Sequence, residues 1–161
     1  MEPKVDRPHM PGYGVQPANK GAGLLPWSFV DEHMRDAHNY WVVTAQPDGT
    51  PHAAPVWGLW HEGAFYFSSG DKSAKAHNLA ANPAAVVHLE SGDQVVILNG
   101  AVSEITGDSE DALLKVLEKD YKKKYQVGFL GLGNVYRFKV EKALAWREGD
   151  FPSSATRWQF E

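Results

Sequence analysis

Tyr40-Trp41-Val42-Val43-Thr44, followed by Pro47-Asp48-Gly49-Thr50 and then by Pro51 through Trp60, is the stretch whose reading decides the fold. The first run is β-branched and aromatic, the second is turn chemistry, and the third is a return strand, so the three form a hairpin. A second turn at His61-Glu62-Gly63 leads into Ala64-Phe65-Tyr66-Phe67-Ser68-Ser69, which extends the hairpin to a three-stranded meander. Downstream, Ala84 to Glu90 and Gln94 to Ile105 read as two further strands joined by Ser91-Gly92-Asp93. Asn134-Val135-Tyr136-Arg137-Phe138-Lys139-Val140 alternates as a sixth, which continues to Trp146. A short helix over Ser73 to Ala81 separates the third strand from the fourth and ends at Asn82-Pro83, because a proline disfavours helical geometry in the residue before it. Six strands with one helix inserted after the third favour a closed antiparallel barrel over a sandwich, in a mostly β fold with short helices.

Outside the meander, Pro26 suits a first helical position, and Trp27, Val30 and Met34 recur at helical spacing, which predicts a lid helix near 26–37. Asp108-Ser109 offers a cap for a helix reaching about Tyr125. Ala112, Leu113, Val116, Leu117 and Tyr121 mark its apolar face, and Lys119, Lys122, Lys123 and Lys124 read as its solvated one. Residues 1–23, rich in Pro and Gly, read as a flexible arm. Residues 24–147 form the one domain, and 148–161 are a tail with no clear period. Gly21-x-Gly23 and Gly131-x-Gly133 lack the further residues of phosphate-loop fingerprints and read as turns.

The 161 residues are 43% hydrophobic and 12% aromatic, a globular composition, and the formal charge of -4 argues against a nucleic-acid partner. The absence of cysteine excludes disulfides, iron–sulfur clusters, thiolate zinc and a cysteine nucleophile. With no signal-like apolar segment and no run long enough to span a bilayer, the expectation is a cytoplasmic protein without a membrane partner. Trp41, Trp57, Trp60 and Trp146 on expected strands exceed what one small barrel interior holds, so a symmetric homodimer is expected.

The densest chemical signal is Ser69-Gly70-Asp71-Lys72-Ser73-Ala74-Lys75, between a strand end and a helix start. Unpaired N–H groups and the partial positive charge of a helix N-terminus hold phosphate well, and Lys72, Lys75 and the Ser73 hydroxyl add donors. An ordinary capping serine beside two solvated lysines reads equally well. In Pro51-His52-Ala53-Ala54-Pro55-Val56-Trp57 two prolines withdraw donors from a strand, which either frees its backbone to meet a flat ring or protects an edge from unwanted pairing. The seven histidines show no metal-binding spacing, and Ser68-Ser69 has neither a nucleophile elbow nor a local base. The acids at Asp31-Glu32 and Glu110-Asp111 read as solvated.

Taken in order, Pro51-His52-x-x-Pro55-Val56-Trp57, Phe65-Tyr66-Phe67 and Lys72-Ser73-x-Lys75-Ala76-x-Asn78-Leu79-x-x-Asn82-Pro83 resemble the pyridoxamine-phosphate-oxidase-like split-barrel superfamily. Within it, the Pro-His-x-x-Pro-Val-Trp segment looks like the actinobacterial flavin and deazaflavin oxidoreductases that use coenzyme F420. The resemblance implies a six-stranded antiparallel split barrel of the FMN-binding type, dimeric, with the cofactor across the dimer groove. It implies that Lys72, Ser73 and Lys75 contact the cofactor phosphate, that His52, Pro55, Val56 and Trp57 line the ring, and that Asn78 belongs to the cofactor-binding set. Thr156-Arg157-Trp158 resembles a segment that closes over the cofactor, which would bring in Arg157 and Trp158. Relatives often carry arginine where this chain has Asp71, Ala74 and His77, so the phosphate site is less basic than the family pattern. The implied activity is hydride transfer between F420 and a small unsaturated organic substrate. The alternatives are an FMN-dependent oxidase or reductase and a non-catalytic flavin-binding protein. No catalytic residue is assigned; Tyr40 and His52 stand nearest as proton donors by expected position.

Overall fold

The computed structural model describes residues 2–17 and 23–161. In chain order the elements are β1 (Lys4–Asp6), α1 (Trp27–Asp36), β2 (Tyr40–Ala45), β3 (Pro51–Val56), β4 (Gly58–His61), β5 (Ala64–Ser69), α2 (Ala74–Ala81), β6 (Ala84–His88), β7 (Gln94–Glu104), α3 (Asp111–Tyr125), β8 (Asn134–Arg147), α4 (Phe151–Ser154) and β9 (Thr156–Gln159). Gly21, half of one expected turn, lies outside the described residues.

All pairings are antiparallel, and the ladder runs β3-β2-β6-β7-β8, where β5 and then β4 follow from the N-terminal half of β8 and β9 and then β1 from its C-terminal half. The expected continuous strand from Pro51 to Trp60 breaks at Trp57. Its first part pairs with β2 and its second with β5, and no ladder joins the two parts. Six strands' worth of chain therefore come full circle only through the covalent link at Trp57, and the sheet is a split barrel instead of the closed one expected from strand order. Gly58 permits the bend by close approach, since a Cβ there would lie 2.3 Å from Phe65 Cζ and 2.6 Å from the Tyr66 carbonyl oxygen.

Strand alternation decides the interior. Tyr40, Val42, Val87, Leu98, Phe65, Phe67 and Phe138 have no exposed surface and form the barrel core, closed at one end by Val30 and Met34 of α1. A second cluster of Leu117, Tyr121, Tyr125 and Phe129 packs α3 against Leu59 and Tyr66 outside the barrel.

Both ends of the chain join the same sheet. Val5 of the arm pairs with Trp158, and β9 pairs in turn with β8, so the arm contributes a strand that its proline-rich sequence did not announce. Pairing between neighbours rescued segments whose own pattern was too short to read.

Candidate functional site

At the start of α2, Ser73 takes extended backbone geometry and its hydroxyl accepts the Ala76 N–H at 3.1 Å. The Ser69 and Ser73 hydroxyls are 2.8 Å apart, which ties the strand end to the helix start. The Ala74 and Lys75 N–H groups remain the open donors of the first turn, with Lys72 exposed and Lys75 half-exposed beside them. Asn78 is elsewhere: it is 4% exposed and donates to Thr44 Oγ1 at 3.0 Å. Its Nδ2 joins α2 to β2.

Thr44 pairs directly with His52, so the α2 start and β3 belong to one rigid unit through Asn78 and Thr44. Strand alternation divides the expected ring-lining set. His52 and Val56 share the inward face with Thr44 and Tyr40, whereas Pro55 and Trp57 point outward. No single face of β3 presents all four, and a flat ring reaches them only along the strand's unpaired edge. All six residues of β3 are registered with β2 despite Pro51 and Pro55, so the proline nitrogens belong to that outer edge, where no ladder needs a donor. The His52 Nδ1 and Ser68 Oγ atoms are buried without a hydrogen-bond partner among the described residues.

Arg157 and Trp158 sit apart from this unit. Trp158 is 1% exposed and packs edge-on to Trp27 at 5.5 Å, and Arg157 reaches Asp6 of the arm at 3.5 Å. In this conformation Trp158 has almost no free surface and belongs to the core. Tyr40 is likewise wholly buried. Its hydroxyl donates to the Met34 carbonyl at 2.5 Å, and burial, followed by the neighbouring Tyr125 and Asp36, pushes its pKa far up. Its hydroxyl also meets Lys124, whereas His52 on β3 is half-buried.

Around the bend, sequence reasoning gave no role to His38 or Tyr125 and read Lys124 as part of a lysine run that is usually a solvated face. Trp57, 42% exposed, stacks on Tyr125 with centroids 4.7 Å apart and planes 6° from parallel, and His38 meets both rings edge-on. The Tyr125 hydroxyl accepts the Gly58 N–H at 3.1 Å and reaches the His38 carbonyl at 2.8 Å. Burial is the main cause that pushes its pKa up to about 12. Lys124 Nζ donates to Tyr40 Oη at 2.7 Å and to the Gly58 carbonyl at 3.2 Å, and burial pulls its pKa down to about 8. The signal was present: Leu117, Tyr121 and Lys124 recur at i, i+4 and i+7, which places Lys124 on the apolar stripe and apart from its exposed neighbours Lys122 and Lys123.

A split antiparallel barrel with this helix-start cradle beside an unpaired strand edge defines a class of β-barrel proteins. The pyridoxamine 5'-phosphate oxidase family model matches residues 29–147, and the chain belongs to that family. Among solved structures, a conserved hypothetical protein from Mycobacterium tuberculosis is similar, with TM-score 0.68 at 17% identity over 80% of this chain and 88% of that one. An F420 reductase aligns with TM-score 0.55 at 22% identity over 74% of this chain and 98% of that one. The heme storage protein HutZ from Vibrio cholerae aligns with TM-score 0.57 at 14% identity over 70% of this chain and 87% of that one. At these identities the likeness is one of fold. No curated protein matches the sequence. No helix among the described residues is long and apolar enough to cross a membrane.

Proposed function

We propose that this protein is a cytoplasmic homodimeric oxidoreductase that holds a phosphorylated flavin-type cofactor, F420 in the first instance and FMN in the second, against α2 and β3. The observation that carries the reading is the tie from α2 through Asn78 and Thr44 to His52, which makes a phosphate-ready helix start and an unpaired strand edge parts of one rigid unit. The donor set fits the group: the open N–H groups of Ala74 and Lys75, the Ser73 hydroxyl, and the ammonium groups of Lys72 and Lys75 suit a phosphate. The unpartnered His52 Nδ1 beneath the strand is a polar atom awaiting a partner.

When bound, a cofactor of this kind supplies hydride transfer to a small unsaturated organic molecule. The chain's own part is to anchor the phosphate, to align the ring along β3, and to shield one side with the Trp57–Tyr125 stack. A second subunit fits the outer face of β3-β2-β6-β7. Its rows Pro55-Trp41-His88-Ile97 and Ala53-Val43-Val86-Asn99 contain no Lys, Arg, Asp or Glu. A sheet apolar on both faces needs a cover on the outer one.

The test is separate titration of FMN and F420 into the purified protein. Lys72→Ala and Lys75→Ala should each weaken binding by about tenfold or more, since a charge-assisted contact contributes roughly 1.5–3 kcal/mol. Unchanged curves for both variants would remove the cradle from the model. Light scattering that reports a monomer at micromolar concentration would remove the second subunit. To separate an enzyme from a flavin-binding protein, Trp57→Ala is compared at cofactor saturation, where an enzyme loses turnover more than affinity. Equal oxidation rates of the reduced cofactor in wild type and variant would place Trp57 away from the chemistry.

A further inference from the structure

A groove of about 880 Å³ opens between α1, β4 and the C-terminal turn of α3. That volume is in the range of small-molecule sites. Trp27 and Trp60 wall it, their centroids 6.5 Å apart, and Leu59 forms part of its apolar lining. Lys124 lines it from α3, held in place by Tyr40 Oη and the Gly58 carbonyl.

We propose that this groove is a binding site for a planar aromatic monoanion whose carboxylate or similar acid group pairs with Lys124 and whose ring lies against Trp27 and Trp60. It deepens the proposed function by naming the substrate class, and it rests on that function only for calling the ligand a substrate.

Three observations at Lys124 support it. The ammonium of Lys124 is half-buried yet takes part in none of the four ion pairs among the described residues. Its two hydrogen-bond partners are an uncharged hydroxyl and a carbonyl, and the Tyr40 and Tyr125 rings lie 4.8 and 5.2 Å from it, so its charge is met by dipoles and ring faces and not by a paired carboxylate. Its pKa, drawn down chiefly by burial with Asp36 opposing, reports the same deficit. An anion arriving beside it removes that deficit, which is the condition for a charge-assisted bond that exceeds its desolvation cost.

The charges bordering the groove balance in number, Asp31, Glu62 and Asp120 against Arg35, Lys123 and Lys124, and this sets the ligand's size of charge. Asp31 is occupied by the Trp60 indole N–H at 2.8 Å, whereas Glu62 and Asp120 are exposed at the rim. With Arg35 and Lys123 lining the groove beside these acids, the lining carries no excess of positive charge for a polyanion, and a single acid group carried to the Lys124 end is what it suits. The position also serves the chemistry: Lys124 bonds the carbonyl of Gly58, the residue after Trp57, so an anion fixed there lies next to the bend against which the ring is proposed to sit.

The probe is 2-naphthoate, with neutral 2-naphthamide as its partner, titrated by calorimetry and by tryptophan fluorescence into cofactor-free wild type and into Lys124→Met and Lys124→Arg. The expectation is that wild type prefers naphthoate over naphthamide by about tenfold or more. Lys124→Met should abolish that preference and leave naphthamide binding unchanged, and Lys124→Arg should keep it. Thermal melts of all variants confirm that each is folded, and the arginine variant carries the test if the methionine variant is not. No binding of naphthoate, or equal binding of acid and amide by wild type, overturns the proposal, as does a preference that survives in Lys124→Met. The Lys72→Ala/Lys75→Ala double variant separates this site from the cofactor reading. Naphthoate affinity should be unchanged in it whether or not cofactor binding is lost, and a parallel loss of both overturns the groove as an independent site.

Discussion

β3 and β4 are a single run of chain bent at Trp57, six residues on one side and four on the other, and they live in different surroundings. β3 pairs on one edge only, alternates exposed with half-buried residues, and carries two prolines toward the open side. β4 begins with two buried residues, pairs with β5, and is covered by α3, whose Tyr125 and Lys124 take up both the N–H and the carbonyl of Gly58. The difference teaches that composition does not separate a strand that holds the fold from one that presents an edge. What separates them is which backbone groups find partners and which are left for another molecule.

The largest expected effect sets Gly58→Val against Pro55→Thr, three residues apart on either side of the bend. A valine at 58 drives Cβ into the Phe65 ring and the Tyr66 backbone, and it should cost on the order of 3 kcal/mol, read as a drop in the urea midpoint. Pro55→Thr, exposed and on the open edge, should change stability by about 0.5 kcal/mol or less. Equal losses for the two would erase the distinction. Tyr125→Phe tests the covered half more gently: it removes the acceptor of the buried Gly58 N–H and should cost about 1–3 kcal/mol. A midpoint unchanged from wild type would show that the hydroxyl is not what secures the bend. Smaller again, Ser73→Ala removes the α2 cap and should cost about 1 kcal/mol, with a fall in phosphate affinity measurable on the same protein. Loss of stability without loss of affinity would leave Ser73 as a cap alone.

Much of this was legible in the sequence, for reasons particular residues make plain. The Tyr40–Ala45 run, the Asp48-Gly49 turn and the Phe65–Phe67 run carry their own periodicity, and the Asn82-Pro83 stop ends α2 where expected. The break at Trp57 was not legible, because it depends on how near Phe65 and Tyr66 come to Gly58, a contact between segments with no local signature. β1 and β9 are three and four residues long and exist through pairing with each other and with β8. At the site, Lys72, Ser73 and Lys75 fall together as their spacing required, but Asn78 turned inward to Thr44 and Trp158 into the core. A motif gives positions along the chain and leaves side-chain direction to the packing. The stripe Leu117-Tyr121-Lys124 was readable and was obscured by the adjacent lysines.

The smallest effect is one of slope. Lys124 has its pKa drawn from 10.5 to about 8, chiefly by burial. Between those two values the unfolded chain holds a proton that the folded protein has released, so stability rises with pH across that window. Below the window both states are protonated, and the cost of the half-buried charge is borne in full. Tyr125, pushed up from 10.0 to about 12, has the opposite sign: beyond pH 10 the unfolded tyrosine ionises while the folded one does not, and stability falls. Tyr40, shifted further in the same direction, adds to that fall. Wild type should therefore gain stability from about pH 8 to about pH 10 and lose it above. Lys124→Met should remove the gain and keep the loss. Because part of the Lys124 side chain stays in water, the amplitude is small, and it is best read as the difference between the urea midpoints of wild type and variant at matched pH. Background titration of the other lysines is common to both proteins and cancels in that difference. A difference that widens in favour of wild type between about pH 8 and about pH 10 places the half-buried charge on β4's side of the bend. Parallel curves would mean that Lys124 is as well solvated as its neighbours, and the covered half of the strand would lose its one uncompensated charge.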